Sequence, residues 1–290
     1  MRLGVLILPE LPWAEAGALW RRAEDLGFDH AWTYDHVAWG VLRDEPWYGA
    51  VPTLAAAALS TTRIRLGTLV ASPNFRHPVP FARELISLDD LSRGRLTLGI
   101  GAGGTGWDAG VLGQRPWPRA ERAGRFAEFV ELTDRLLAGS PTTYAGRYYA
   151  AERAPTTPGC VQRPRIPFAV AATGPRGMAV AAAHGQLWVT AGDPAHAGAA
   201  LPAPAGAASV RAQMDLLDDA CGAAGRDPAS IGRLVLTGPR LDAGLTSVEA
   251  FRDAVGHYEA AGVTDLVVHW PRPQEPFAGD LATFERIFTA

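Results

Sequence analysis

Ile64-Arg65-Leu66-Gly67-Thr68-Leu69-Val70-Ala71-Ser72-Pro73-Asn74-Phe75-Arg76-His77-Pro78 reads as a buried strand, a turn and the start of a helix. The nearly continuous apolar run suits a strand covered on both faces. Gly67 permits close backbone approach, and Pro78 and Pro80 suit a first helical turn. The same unit recurs on either side. Strand-like runs at residues 3–8, 30–34, 64–70, 95–100, 167–171, 187–190, 233–237 and 263–269 alternate with helix-like runs, the order of a parallel sheet with crossover helices. Eight such strands predict an α/β fold, a (β/α)8 TIM barrel forming a single domain over residues 1–290, a length such barrels reach as one unit.

The joints are marked as well. Phe126, Phe129, Val130, Leu132, Thr133, Leu136 and Leu137 recur three and four apart, the apolar stripe of a core-facing helix. Gly27, Gly185, Gly225 and Gly262 follow helical runs and are expected in the left-handed conformation that ends a helix. Two stretches break the rhythm. Residues 140–165, with turn residues, Pro and the Tyr144/Tyr148/Tyr149 cluster, are long enough to be an insertion after strand four. Residues 192–208, mostly Ala, Pro and Gly, are expected to form a mobile loop after strand six. The absence of a 20–50-residue repeat disfavours a solenoid or propeller.

Composition narrows the chemistry. A hydrophobic share of 48% beside 20% charged residues is that of a globular chain. No apolar run approaches the roughly 18 residues of a membrane span, so no membrane partner is expected. The N-terminus enters a strand without a cleavage site, so a cytoplasmic location is expected. A net charge of −3 argues against nucleic acid as a partner. Every basic residue is Arg, which excludes chemistry that needs a lysine amine, whether a Schiff base, pyridoxal phosphate or a Walker loop. Cys160 and Cys221 lie in no CxxC pair and near no His cluster. They read as ordinary reduced thiols, with no metal site.

In a barrel, chemistry gathers where the strands end. Strand two runs into Asp35-His36, a carboxylate beside an imidazole that could orient a ligand edge and move a proton; a turn-capping Asp with an exposed His reads equally from the dipeptide. Strand four runs into Gly99-Ile100-Gly101-Ala102-Gly103-Gly104-Thr105-Gly106-Trp107-Asp108. Gly99, Gly101 and Gly104 have G-x-G-x-x-G spacing, but after the fourth strand rather than the first, and Gly103, Gly106 and Gly110 make a flexible turn. A Gly-rich wall for a flat ring, with Trp107 nearby, fits better. Ala171-Ala172-Thr173-Gly174-Pro175-Arg176-Gly177 places free amides at a helix start, a phosphate site or a plain helix start. Arg115, Arg119, Arg122 and Arg125 at helical spacing, flanked by Glu121 and Glu128, read as a solvated face, or as a contact for an acidic cofactor tail. His257, His269, Trp13, Trp20 and Trp32 have no distinctive spacing and are assigned to packing or rim.

Taken in order, Ala23-Glu24-Asp25-Leu26-Gly27-Phe28, Trp32-Thr33-Tyr34-Asp35-His36, Leu66-Gly67-Thr68, Phe75-Arg76-His77-Pro78, Leu91-Ser92-Arg93-Gly94-Arg95, Leu98-Gly99-Ile100-Gly101-Ala102-Gly103, Trp107 and residues 171–175 resemble the luciferase-like monooxygenase superfamily, in particular its branch using the deazaflavin coenzyme F420. The resemblance runs from residue 1 to about 192 and resumes weakly at the last two strands. It implies a ring held by Asp35, Thr68, Leu69, Val70, Gly103, Gly104 and Ala171, with phosphate near Ala172, Thr173 and Gly174. It also implies a non-prolyl cis peptide at Leu69–Val70. Asp35 would meet the polar ring edge, and His36 would face the reacting carbon as general acid or base, with Asp108 a weaker candidate for the proton. Asp before His leans toward F420; FMN monooxygenases more often carry Glu-His.

Two departures matter. The branch's sugar-phosphate dehydrogenases carry a catalytic Glu where this chain has Gly104, and their phosphate-gripping Lys residues have no counterpart, which argues against a sugar phosphate substrate. The chain is shorter than most members, with the deficit falling in the loop after strand six. The resemblance therefore implies an F420-dependent oxidoreductase passing a hydride between reduced deazaflavin and a small organic substrate, an imine, enone or carbonyl. The alternatives are a two-component FMN-dependent monooxygenase, or a non-catalytic flavin-binding relative. A separate reductase supplying reduced cofactor and a homodimer are implied by the family alone.

Overall fold

The computed structural model describes every residue except 105, 106 and 239, and of residue 41 only the backbone. The chain runs β1 (Arg2–Leu6), α1 (Trp13–Asp25), β2 (His30–Thr33), α2 (Ala50–Ser60), β3 (Arg65–Thr68), α3 (Pro78–Leu91), β4 (Leu96–Gly101), a short α4 (Trp107–Val111) and a long α5 (Arg119–Ala138). An antiparallel hairpin follows, β5 (Thr142–Ala145) with β6 (Ala150–Ala154). Then come β7 (Phe168–Ala171), α6 (Pro175–His184), β8 (Leu187–Thr190), α7 (Ala203–Ala223), β9 (Gly232–Leu236), α8 (Val248–Ala260), β10 (Asp265–His269) and α9 (Leu281–Thr289).

Eight parallel strands close into a barrel in the order β1-β10-β9-β8-β7-β4-β3-β2. They are the eight expected from the sequence, with ends moved by a residue or two. The third ends at Thr68 rather than residue 70, and the Leu69–Val70 peptide bond beyond it is cis. Alternation along the strands sorts side chains to two cores. Leu6, Trp32, Leu69, Ala169, Val189, Leu234 and Val267 fill the barrel, while Val5, Leu66, Leu98, Val170 and Leu266 meet the helices through residues such as Phe81, Phe129 and Met214.

Two of the sequence motifs are joints. The Glu24 carboxylate at the end of α1 accepts the amides of Thr62, Arg63 and Ile64 at 3.0 Å or less, fixing the entry to β3. Arg93 and Gly94 turn through positive φ of 54° and 79°. Arg95 then donates to the carbonyls of Ala58, Thr61 and Ile64, lashing α2 to the start of β4.

The N-terminal end of the barrel carries a polar plug. Trp32 Nε1 donates to His30 Nδ1 at 2.6 Å, and His30 Nε2 meets Asp265 Oδ1 at 3.0 Å. An indole only donates, so the His30 proton sits on Nε2, facing the carboxylate. Arg2 adds a bidentate pair to Asp265 at 2.7 and 2.8 Å. Burial pushes the Asp265 carboxyl up, but the bonds from His30, Arg2 and Thr264 outweigh it and bring the group down to about 2. The plug fits because Gly4 and Gly67 have no side chain: a Cβ would lie 2.0 Å from His30 Nδ1 at Gly4 and 2.4 Å from the Trp32 ring at Gly67.

Two expectations need correction. Gly27, Gly225 and Gly262 have the positive φ of helix ends, at 85°, 66° and 98°. Gly185 is extended, φ −78° and ψ 139°. Glycine is required there by space, since a Cβ would stand 2.8 Å from the Ala181 carbonyl. The stretch after β8 is also not all loop: α7 begins at Ala203, capped by Pro202, with Ala203, Gly206 and Ala207 buried. Its Ala content favours helix, and Gly206 admits the Tyr258 hydroxyl, 2.6 Å from where a Cβ would be. The insertion after the fourth strand is the β5–β6 hairpin, held to α5 where Glu128 accepts the amides of Arg147 and Tyr148 at 3.0 and 2.8 Å. No helix among the described residues is long and apolar enough to cross a membrane.

Candidate active site

Parallel strands end together, so Asp35-His36 after β2, residues 69–74 after β3, 101–108 after β4 and 171–174 after β7 share one rim. On it the two candidates for proton chemistry meet. His36 Nδ1 lies 3.1 Å from Asp108 Oδ2 across 72 positions of chain. Asp108 Oδ1 accepts the Val37 amide at 2.8 Å, and Asn74 Nδ2 approaches Oδ2 at 3.4 Å. Trp47 Nε1 donates to the His36 carbonyl at 2.9 Å. The imidazole is thus held by its Nδ1 edge and its backbone, and Nε2 has no partner among the described residues. Asp108 is buried, which pushes its carboxyl up, but the bonds from His36, Val37 and Asn74 prevail and hold it below the usual carboxylate range. A low, buried carboxylate at Nδ1 fixes the ring's orientation and stabilises its charge when Nε2 takes a proton.

Beside His36 lies a wall without side chains. Leu69 is buried and Val70 half-buried. The Thr68 hydroxyl donates to the Gly99 carbonyl at 2.7 Å, so it joins β3 to β4. A Cβ on Gly101 would come within 2.7 Å of the Val70 side chain. Gly103 has φ +76°, and a Cβ on it would be 2.5 Å from the Asn74 amide, so glycine here lets Asn74 reach Asp108. Gly104 meets nothing within 4 Å and opens onto free space. Leu69–Val70, Gly101 and Gly103 thus pack as one layer, with Gly104 its open edge.

At the far end of the wall, Gly174 caps α6 without a side-chain hydrogen bond and Pro175 opens the helix. The first-turn amides of Arg176 and Gly177 have no intrahelical acceptor, the usual state of a helix start. The exposed Arg119 guanidinium lies 3.8 Å from where a Gly174 Cβ would stand. Thr173 is exposed beside them. Ala172 is otherwise engaged: its amide donates to Val189 at 3.2 Å and its carbonyl accepts Trp188 Nε1 at 2.8 Å. The donor set suits a phosphate, with Ala172 as support rather than donor.

Asp35 stands differently from expectation. It is 1% exposed, and both carboxylate oxygens are taken by Arg76 at 2.5 and 2.7 Å. Arg76 also bonds Glu84 and lies 4.3 Å above the Phe81 ring. Asp35 therefore anchors the loop into α3 and offers no free oxygen to a ring edge in this structure. The arginine run also divides. Arg115 precedes α5 and is exposed, Arg125 pairs with Glu121 and lies over Trp117 and Tyr148, and Arg122, whose buried Nε has no partner among the described residues, borders a small pocket with Asn74 and Gly104. Residues 105 and 106 of the Gly-rich turn lie outside the described residues.

On the opposite wall the sequence marks Trp39 and Trp47 as aromatic rim, but not the Tyr34, His269 and Phe277 cluster behind them. Tyr34 Oη and His269 Nε2 are 2.8 Å apart inside the mouth, and Phe277 stacks on His269 with centroids 3.5 Å apart. Trp39 stands between Tyr34, Trp47 and Phe277 at 5.0, 5.9 and 6.1 Å. Burial pushes the His269 imidazole down to about 3, keeping it neutral, and pushes the Tyr34 phenol up. The signal was the period of two on β10, which turns Val267 and His269 inward together. Among the described residues no group of three or more His, Cys, Asp or Glu is placed to hold a metal.

A parallel eight-stranded barrel with a cis peptide after the third strand, a glycine wall and a carboxylate-held histidine defines the luciferase-like class, and residues 1–239 match the family of luciferase-like monooxygenases. The chain belongs to that family. Over 178 residues it is 38% identical to an F420-dependent glucose-6-phosphate dehydrogenase of Beutenbergia cavernae, covering 58% of this chain and 49% of the relative. Over 198 residues it is 33% identical to 4-hydroxyprotoasukamycin monooxygenase of Streptomyces nodosus subsp. asukaensis, covering 63% and 50%. The chain thus spans about half the length of the curated relatives it matches. The structure of the coenzyme F420-dependent tetrahydromethanopterin reductase from Methanopyrus kandleri superposes with TM-score 0.79 at 20% identity, covering 99% of this chain and 97% of that one; it supports the fold.

Proposed function

We propose that this chain is an F420-dependent oxidoreductase that passes a hydride between reduced deazaflavin and a small organic substrate, an imine, enone or carbonyl. The observation that carries the reading is the His36–Asp108 pair, its Nε2 without a partner among the described residues, on the rim that also carries Leu69–Val70 and the Gly-rich turn. When bound, a reduced deazaflavin supplies a hydride from carbon and reacts slowly with oxygen.

The chain's own residues do the rest. Leu69 and Val70 back the ring, Gly104 leaves room for it, Gly101 and Gly103 make way for Val70 and Asn74 behind it, and Thr173, Gly174 and Arg119 receive the phosphate. Thr68, Ala171 and Ala172 hold this wall in register. His36 Nε2 gives or takes the proton that accompanies hydride transfer, with Asp108 holding the imidazole at Nδ1. Asp35 acts through Arg76 to fix the loop that carries the wall. The barrel works as one unit over residues 1–290, with a separate enzyme supplying reduced cofactor. The homodimer and the cytoplasmic setting belong to the same proposal.

The monooxygenase among the relatives favours a second reading, an FMN enzyme fed by a partner reductase. Titration of the purified protein with F420 and with FMN, each followed by its own fluorescence, separates the two. Micromolar or tighter F420 binding with none for FMN supports the proposal; FMN binding alone ends it in favour of the monooxygenase. A non-catalytic relative would bind the cofactor, and reduced F420 held on it would show no return of visible absorbance with any imine, enone or carbonyl of a panel.

A further inference from the structure

Across the mouth from the glycine wall, between the ends of β9 and β10 and the starts of α8 and α9, lies a cavity of about 650 Å³. That volume is in the range of small-molecule pockets. Phe277 and Phe284 give it aromatic surface, and Leu241, Leu245 and Pro271 add apolar walls. Asp242, Glu275 and Asp280 are its charged lining, and no arginine lines it among the described residues. Two arginines that neighbour lining residues in the chain are engaged elsewhere: Arg272 pairs with Glu10 at 2.7 Å by two nitrogens, and Arg286 donates to Thr283 at 2.7 Å; Arg240, beside Leu241, is not part of the lining.

A second observation points to an occupant. His269 is 5% exposed and borders the cavity, yet its Nδ1 has no hydrogen-bond partner among the described residues. A Cβ at Gly238 would lie 2.9 Å from that nitrogen, so only glycine packs against this edge of the imidazole. Burial keeps His269 neutral and so adds no positive charge to the lining. Its other nitrogen is bonded to Tyr34, whose ring centroid is 6.2 Å from that of His36.

We propose that this cavity binds an apolar organic cation, an ammonium or iminium compound, and holds the body of the hydride-transfer substrate against Phe277. The carboxylates and the two aromatic faces favour positive charge, and the neutral His269 beside them adds none of its own. Only the statement that the occupant is the substrate rests on the proposed function; the charge preference follows from the lining alone.

The test is calorimetric titration of the cofactor-free protein with 1-naphthylmethylammonium and with 1-naphthaleneacetate, beside the F420 fluorescence titration. The ammonium is expected to bind saturably and at least tenfold more tightly than the carboxylate. Ala278→Trp and Thr246→Trp, each filling the cavity from an exposed loop position, are expected to weaken it at least tenfold without changing F420 affinity. Combining Asp242→Asn with Glu275→Gln is expected to remove the preference for the cation. No saturable binding, equal affinity for the anion, or wild-type binding in both Trp variants overturns the inference. Loss of F420 binding with the ammonium pattern intact instead overturns the cofactor reading and leaves the pocket standing.

Discussion

Asp108 grips His36 by Nδ1 at 3.1 Å while taking the Val37 amide at 2.8 Å, so one buried carboxylate sets both the ring and the backbone beside it. If this pair carries the proton, His36→Ala will lower turnover by about 10²- to 10⁴-fold and leave F420 affinity within about threefold. Asp108→Asn will lower turnover by a smaller factor and raise no barrier to cofactor binding. Steady-state kinetics and fluorescence titration on the same preparations decide it; wild-type turnover in His36→Ala would remove the residue from the chemistry.

Two adjacent glycines are expected to behave oppositely. Gly103→Ala forces a left-handed residue and pushes on Asn74, so it should cost about 1–3 kcal/mol in stability and slow turnover by loosening Asp108. Gly104→Ala meets nothing within 4 Å and should leave stability within about 0.5 kcal/mol, with any loss confined to cofactor affinity. Urea melts of the two variants give the answer; equal destabilisation would mean the wall is not built as described.

The plug makes a prediction about acid. Asp265 falls from 3.8 to about 2 on folding, so its contribution is fully present above the unfolded value and is lost as pH falls through the folded one. A depression of that size corresponds to about 2 kcal/mol. Asp265→Asn should lose roughly that much at pH 7, and its gap from wild type should narrow as pH falls from about 4 to 2. A gap that stays constant over that window would show the stabilisation has another source.

Arg119 lies by the Gly174 cap, 3.8 Å from the position a Cβ would take. Arg119→Ala should therefore weaken F420 binding by about five- to tenfold at low salt, with the difference shrinking as salt screens it. An unchanged affinity at every ionic strength would leave the phosphate to the helix amides alone.

What could be read in the chain and what could not follow from the range of the interactions. The strands, the αβ joints and the Gly-rich turn are local patterns, and each of the eight runs became a barrel strand. The position of His36 at a strand end was equally local, and the rim brought Asp108 to it. What Asp35 pairs with was not legible, because its partner Arg76 lies 41 residues away and takes both oxygens. Gly185 misled because its glycine answers a crowded carbonyl rather than a positive φ. His269 looked idle because Tyr34 follows β2, two strands round the closed barrel from β10, and Phe277 folds back from the loop that His269 enters.

Trp32, His30, Asp265 and Arg2 stopper the barrel at the end remote from His36. Leu6, Leu69, Val189 and Val267 pack the middle, which leaves the His36 end for ligands. For the enzyme proposed, cofactor and substrate would then share one entrance, and order of binding would be a matter of geometry: a ring lying against Leu69 and Val70 would arrive before a substrate that covers it and leave after the product.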